Sequence, residues 1–331
     1  MKMKKIIALA AITSLLLCGC EKPLSKKDLT YTDTLFDTVI SVQILDPVDE
    51  SVIKGCEKLC KDYDAKFSKS NEESDISRIN SAKGKFVEVS EDTVTLLEKG
   101  IYYSELSYGI FDITIGSVSD LWDFHAEQPS VPSKKKVRSA KKHVSYHNIM
   151  IQDNRVKLTD PKTKLDVGAI AKGYIADQLK TYLLSSGVEN AIISLGGNIL
   201  LVGAKPDGSP FNVGIQKPFG AVSEVLTTLE KSDSSVVSSG CYERYFITNS
   251  DEDKNDKDRT IYHHIFDTAT GYPVQNDLLG VTILSDSSMK GDALSTYCYI
   301  LGLEKGLDYI RSLEDVEAVF VTKDYDIITS Y

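Results

Sequence analysis

The spacing of apolar residues changes period several times along the chain, and each change marks an element. Residues 29–45 alternate well enough for one or two strands, broken near Asp37. Residues 50–67 repeat their apolar positions at helical spacing, whereas 68–85 are polar and read as a loop. Ser90 is placed to cap a helix running through Leu106, with Gly109 beyond its end. Pro132 and Ser133 introduce a basic surface helix over 134–143, and 146–167 hold short β-rich runs with turns such as Asp160-Pro161. The strongest helical pattern covers 168–184 and stops near Gly187. Strand-like runs follow at 191–194, 199–202, 211–215, 222–229, 234–238 and 242–248, then a charged loop at 250–259. Helices are predicted at 289–301 and 303–313, and closing strands at 318–322 and 325–329. Strands come in runs with few crossover helices, which predicts an α+β fold of mixed, largely antiparallel sheets flanked by helices.

The first residues lie outside this pattern. Three lysines among residues 1–5 precede an apolar stretch, 6–17, too short for a permanent span. Leu17-Cys18-Gly19-Cys20 then has the form of a bacterial lipobox, which predicts cleavage before Cys20 and acylation of its thiol. Residues 1–19 are therefore read as a signal peptide, 20–28 as a polar tether and 29–331 as one large domain, held by lipid to the extracytoplasmic face of the cell membrane.

Composition narrows the partners. Asp and Glu number 48 against 38 Lys and Arg, a net charge of −10, the opposite of a nucleic-acid footprint. Cys56 and Cys60 sit one helical turn apart and are expected to face the core; no cysteine pair has zinc-ligand spacing, and no disulfide is assigned.

Four segments carry residues that their local element does not need. Phe111 to Gly116 leads to Leu121-Trp122-Asp123-Phe124, an aromatic group able to flank a flat ring or simply to fill a core. Asp166-Val167-Gly168-Ala169-Ile170-Ala171-Lys172 passes from strand to helix, where backbone amides and a lysine favour phosphate, though a plain helix start reads the same way. His263-His264-Ile265-Phe266-Asp267 puts two adjacent imidazoles on opposite faces of a strand, so only one can serve a given pocket. Asp292 and Thr296, four apart, share a helix face and offer the oxygen ligands that suit Mg2+, although Asp292 also reads as a helix cap.

In this order the segments resemble the ApbE family of bacterial lipoproteins, the FAD:protein FMN transferases. The resemblance runs from about Thr34 to the C-terminus and is most specific at 168–173, Gly196-Gly197-Asn198, 263–267 with Thr270-Gly271, and 292–296. It implies an FAD site in a cleft between two subregions. Asp292, Thr296 and the carbonyl of Ala169 would be the magnesium ligands. Phe36, Trp122, Asp123, Phe124, Asp166, Lys172 and Ile265 would touch FAD, and His264 would be the catalytic base near neutral pH, with Asp292 also required for turnover. The acceptor would be a Thr or Ser of another exported or membrane protein. Alternatives that keep the same site are an FAD pyrophosphatase and a non-catalytic flavin-binding lipoprotein. Asp37, Ser117, Asp123, Cys241 and Thr268 depart from the family's usual residues, and these departures bear on the shape of the FAD pocket.

Overall fold

The computed structural model describes residues 29–124, 126–221, 223–248 and 260–331. The stretches read as signal peptide and tether, with Cys20 between them, and the charged stretch at 250–259 lie outside the described residues.

The centre is an eight-stranded sheet in which every neighbouring pair is antiparallel. Its order is Leu29–Leu35, Thr38–Ile44, Ala191–Leu195, Asn198–Val202, Ser235–Gly240, Leu278–Ser285, Glu317–Thr322 and Ile327–Thr329. The break foreseen near Asp37 is a two-residue hairpin turn, with Leu35 opposite Thr38. Phe36 and Asp37 both have positive φ (55° and 56°), the primed geometry that matches the twist of paired strands, held here without a glycine.

Helices Glu50–Phe67, Ala171–Ser185 and Ser288–Leu301 cover one face and bury Cys56, Cys60, Ile175, Leu179, Leu294 and Cys298 with the sheet. The hairpin of Phe211–Gln216 and Val225–Lys231 packs Phe211, Val213 and Ile215 on Leu201, Val236, Leu284 and Val319 of the other face. The α+β architecture thus follows the sequence pattern, and Cys56 and Cys60 are buried free thiols.

Two elements were not foreseen. Leu278–Ser285 is buried at all eight positions, because helices cover one side and the hairpin the other. Such a strand has no polar alternation to reveal it. Helix Asp75–Ser81 lies inside the stretch read as a loop; it is capped by Ser74 and buries only Ile76 and Ile79. The predicted 222–229 strand begins later, at Val225.

A smaller aromatic subregion stands beside the main core. Val118, Trp122, Phe246 and Phe266 form it, joined by Phe124, Tyr262 and Tyr272. It is closed by the hairpin of Tyr245–Thr248 and Thr260–His263.

Candidate functional site

A cavity of about 470 Å3 opens between the main core and the aromatic subregion. Every site residue named from the sequence within the described chain lines it: Phe36, Trp122, Asp123, Phe124, Asp166, Ala169, Lys172, His264, Ile265, Asp292 and Thr296. The cleft between two subregions is therefore present.

Asp292 sits at the meeting of three elements. Helix Ala171–Ser185 approaches helix Ser288–Leu301 so closely that a Cβ on Gly173 would lie 2.4 Å from Met289 Cα. That approach lets the Gly173 N–H donate to Asp292 Oδ2 at 2.6 Å, while Asn198 Nδ2 donates to Oδ1 at 2.9 Å. The carboxylate is 5% exposed. Burial pushes its pKa up, against the pull of Lys172. Among the described residues no lysine or arginine forms an ion pair with it, so a buried anion is held by neutral donors alone. Such a carboxylate is strongly stabilised by a cation at its remaining lone pairs. Thr296, one turn on, brings its hydroxyl to the same cavity and contacts Ser239 Oγ at 3.3 Å. This donor set, all oxygen with one charge, fits Mg2+ that keeps waters and shares a substrate's phosphates. Among the described residues no three His, Cys, Asp or Glu side chains form a metal cluster, so a cation here would depend on the substrate for part of its shell.

Among the described residues no strand leads directly into the turn at 166–170, and Lys164 before it makes only an isolated bridge to Ile115. The turn leads into helix Ala171–Ser185 and differs from a bare anion cradle in that the Gly173 amide is already taken by Asp292. Lys172 Nζ lines the cavity and rests 3.4 Å from the Gly168 carbonyl.

Asp166 lies in a network that the sequence pattern did not reveal. Lys69 donates to Asp166 Oδ2 at 2.9 Å and pairs with Asp120 at 2.9 Å, and Ser119 Oγ reaches Asp166 at 2.7 Å. Burial alone would raise the Asp166 pKa, but the Lys69 ammonium, Ser119 and the Gly168 N–H hold it well below the usual carboxylate range. The helical turn Gly116–Ser119 reaches this spot because Gly116 packs against backbone, a Cβ there lying 2.6 Å from the Lys164 carbonyl. Lys69 was missed because a single lysine in a polar stretch carries no periodic signal.

The two histidines do separate. His263 is 2% exposed; its Nε2 donates to the Val274 carbonyl at 2.8 Å and its Nδ1 accepts the Ile265 N–H at 3.3 Å. His264 faces the cavity, and its buried Nδ1 has no hydrogen-bond partner among the described residues. Burial first, then the charges of Arg244 and Lys172, pushes the His264 pKa down to about 3. The expectation of a base titrating near neutrality needs correcting: in this cavity the imidazole is neutral and weakly basic, because two cations and low solvation oppose its protonation. Glu243, also unforeseen, lines the cavity, and burial raises its pKa against the pull of Lys172 and Arg244.

Trp122 fills the aromatic core: it is 4% exposed and stacks on Phe124 and Tyr262, at centroid distances of 6.4 and 5.5 Å. It also borders the cavity, and its indole Nε1 has no partner among the described residues.

The ApbE family model matches residues 36–320 of this chain. A Klebsiella pneumoniae (strain 342) protein named FAD:protein FMN transferase is 35% identical over 285 residues, covering 85% of each chain. A Vibrio cholerae protein of the same name is 29% identical over 332 residues, covering 98% of this chain and 96% of its own. Among solved structures, the ApbE protein of Thermotoga maritima superposes with a TM-score of 0.81 at 30% identity, over 91% of this chain and 96% of that one. The flavin transferase ApbE of Vibrio cholerae gives 0.78 at 25% identity with the same coverage.

Proposed function

The chain belongs to the ApbE family, and from that premise we propose that it is a Mg2+-dependent FAD:protein FMN transferase, acting on a Thr or Ser hydroxyl of an exported or membrane protein. The observation that carries this reading is the convergence on one cavity of a buried carboxylate with no ion pair among the described residues (Asp292), a lysine (Lys172) and an imidazole whose Nδ1 has no hydrogen-bond partner among them (His264).

In the reaction, the acceptor oxygen bonds to the FMN phosphorus, the pyrophosphate P–O bond breaks, and AMP leaves with the electron pair. Asp292, Thr296 and the Ala169 carbonyl would hold Mg2+, which when bound neutralises charge on the pyrophosphate oxygens. Lys172 adds positive charge beside the same phosphates. Phe36, Ile265, Trp122 and Phe124 offer apolar and aromatic surface to the flat rings of FAD, with Asp123 beside them. His264 receives the acceptor's proton. Its basicity is depressed by burial first and then by Arg244 and Lys172, and the negative pyrophosphate of a bound FAD opposes the effect of these two charges.

Water in the acceptor's place would give FAD hydrolysis to FMN and AMP, the competing outcome. Incubating the protein with FAD, Mg2+ and an acceptor peptide, then weighing the acceptor, separates the readings. A gain of one FMN supports transfer, AMP with free FMN means a hydrolase, and intact FAD means a binding protein.

Lys69 should matter for substrate affinity. Lys69→Met removes the cation that Asp166 shares with Asp120; Asp120 keeps Lys164, but Asp166 is then held at the cavity only by Ser119 and the Gly168 N–H. The expected result is a KM for FAD raised roughly tenfold, worth about 1.4 kcal/mol of binding, with kcat changed much less. A Michaelis titration with FAD at saturating Mg2+ checks this, and an unchanged KM overturns it.

We also propose that Cys20 carries a lipid that holds the enzyme on the extracytoplasmic face, supported by the basic, apolar and lipobox segments in sequence. Cys20→Ser is expected to release the mature protein from membranes or to leave it unprocessed. A processed variant that still fractionates with membranes removes the assignment.

A further inference from the structure

The Gly196-Gly197-Asn198 motif has no part in the scheme above, yet it leads directly to Asp292. Gly196 and Gly197 turn the chain between strands Ala191–Leu195 and Asn198–Val202 with φ of 55° and 77°. A Cβ on Gly196 would lie 2.1 Å from Thr38 Oγ1, so the turn is pressed against the hairpin that carries Phe36. Asn198 follows, wholly buried. Its Nδ2 donates to Asp292 Oδ1 at 2.9 Å, and its Oδ1 accepts from Ser288 Oγ at 2.5 Å. Ser288 Oγ in turn accepts from Ser235 Oγ at 3.1 Å, and both serines are 0% exposed.

We infer that Asn198 is a positioning residue for the metal ligand Asp292, and that the Ser235–Ser288 hydroxyl pair fixes which way its amide points. The inference rests on the reading of Asp292 as a Mg2+ ligand. An asparagine amide has two ends of opposite character, and only its NH2 end can serve a carboxylate. A buried asparagine with nothing on its oxygen is free to flip and set its oxygen against the Asp292 oxygen. The Ser288 hydroxyl, itself held by Ser235, prevents the flip by occupying the oxygen. With Asn198 on Oδ1 and the Gly173 amide on Oδ2, the Asp292 carboxylate is fixed in its plane before any cation arrives. A preset ligand binds a hard cation without first losing rotamer freedom.

The test measures Mg2+ alone by titration calorimetry, beside kcat and the KM for Mg2+ with FAD present. Asn198→Ala should weaken Mg2+ binding ~10–100-fold, as loss of an outer-shell partner does elsewhere. At saturating Mg2+, kcat should return to within a few-fold of the native value. Ser288→Ala should weaken Mg2+ binding in the same direction by a smaller factor and spares the fold if Asn198→Ala does not. The double variant should bind Mg2+ no more weakly than Asn198→Ala, because the serine acts only through the asparagine. Native Mg2+ affinity in both single variants, or additive losses in the double variant, overturns the inference. Failure of the native protein to bind Mg2+ at all, with or without FAD, instead overturns the metal reading of Asp292.

Discussion

Asp292→Asn is expected to stop turnover while leaving the protein at least as stable as the native chain. The catalytic loss follows from removing the single charged ligand offered to Mg2+. A bound cation supplies several kcal/mol to phosphoryl transfer, so a loss of ~10³-fold or more is expected. The stability follows from the hydrogen-bond chain. Asparagine at 292 can accept the Gly173 N–H through its oxygen and donate its NH2 toward position 198. Asn198 then flips, presents its oxygen, and donates to Ser288, whose hydroxyl turns to Ser235. The Gly173 bond keeps its direction, the other three are kept with their directions reversed, and the buried charge is gone. Asp292→Ala has no such escape: it strands the Gly173 amide and the Asn198 NH2, at a cost of about 1–3 kcal/mol each. Thr296→Ala removes a neutral ligand and should reduce turnover less. Thermal midpoints and metal titrations of the three variants, read together, separate ligand from scaffold. Unchanged Mg2+ dependence in Asp292→Asn would move the cation elsewhere.

The second large effect is expected at the histidine pair. His264→Ala should bind FAD nearly normally yet transfer FMN at least ~100-fold more slowly, the low end of what a general base contributes. FAD affinity survives because the aromatic surface, the Asp166–Lys172 turn and the metal are untouched. His263→Ala should instead lower stability, since its imidazole joins the Val274 carbonyl to the Ile265 amide in the core. Acid sensitivity gives an independent check. Burial holds the His264 pKa at about 3 and that of His263 at about 4, against 6.5 for a free side chain. Below 6.5 the unfolded chain binds protons that the folded chain refuses, so stability is full above that pH and falls as pH drops toward these values. Each His→Ala variant should show a shallower acid loss than the native protein. Near-normal transfer by His264→Ala, or a selective loss of catalysis in His263→Ala, would return the base to a carboxylate such as Glu243.

The parts legible in the sequence were those with a period or a motif. Helices Glu50–Phe67 and Ala171–Ser185 announce themselves through apolar spacing, and the site residues through short, ordered segments. Leu278–Ser285 stayed hidden because burial on both faces erases alternation. Lys69, Ser119 and Asp120 stayed hidden for another reason: Lys69 and Ser119 meet Asp166, and Asp120 meets Lys69, only through long-range folding, up to 97 positions apart, and no local rule links a loop lysine to a distant acid. The depressed basicity of His264 comes first from its burial and then from Arg244 and Lys172 converging in space, neither of which the residue order states.

The hairpin at the sheet edge sets how the enzyme reaches its substrates. Leu29, where the proposed tether joins the domain, and Phe36, at the cavity, occupy opposite ends of one strand. Seven residues of strand span roughly 20 Å. With the proposed lipid on Cys20, this strand would hold the cavity off the anchoring point, and the stretch from Cys20 to the strand would add at most about 30 Å. Under that proposal the enzyme would reach within roughly 50 Å of the lipid surface, which would favour acceptors whose reactive hydroxyl stands close above the same bilayer over those diffusing free.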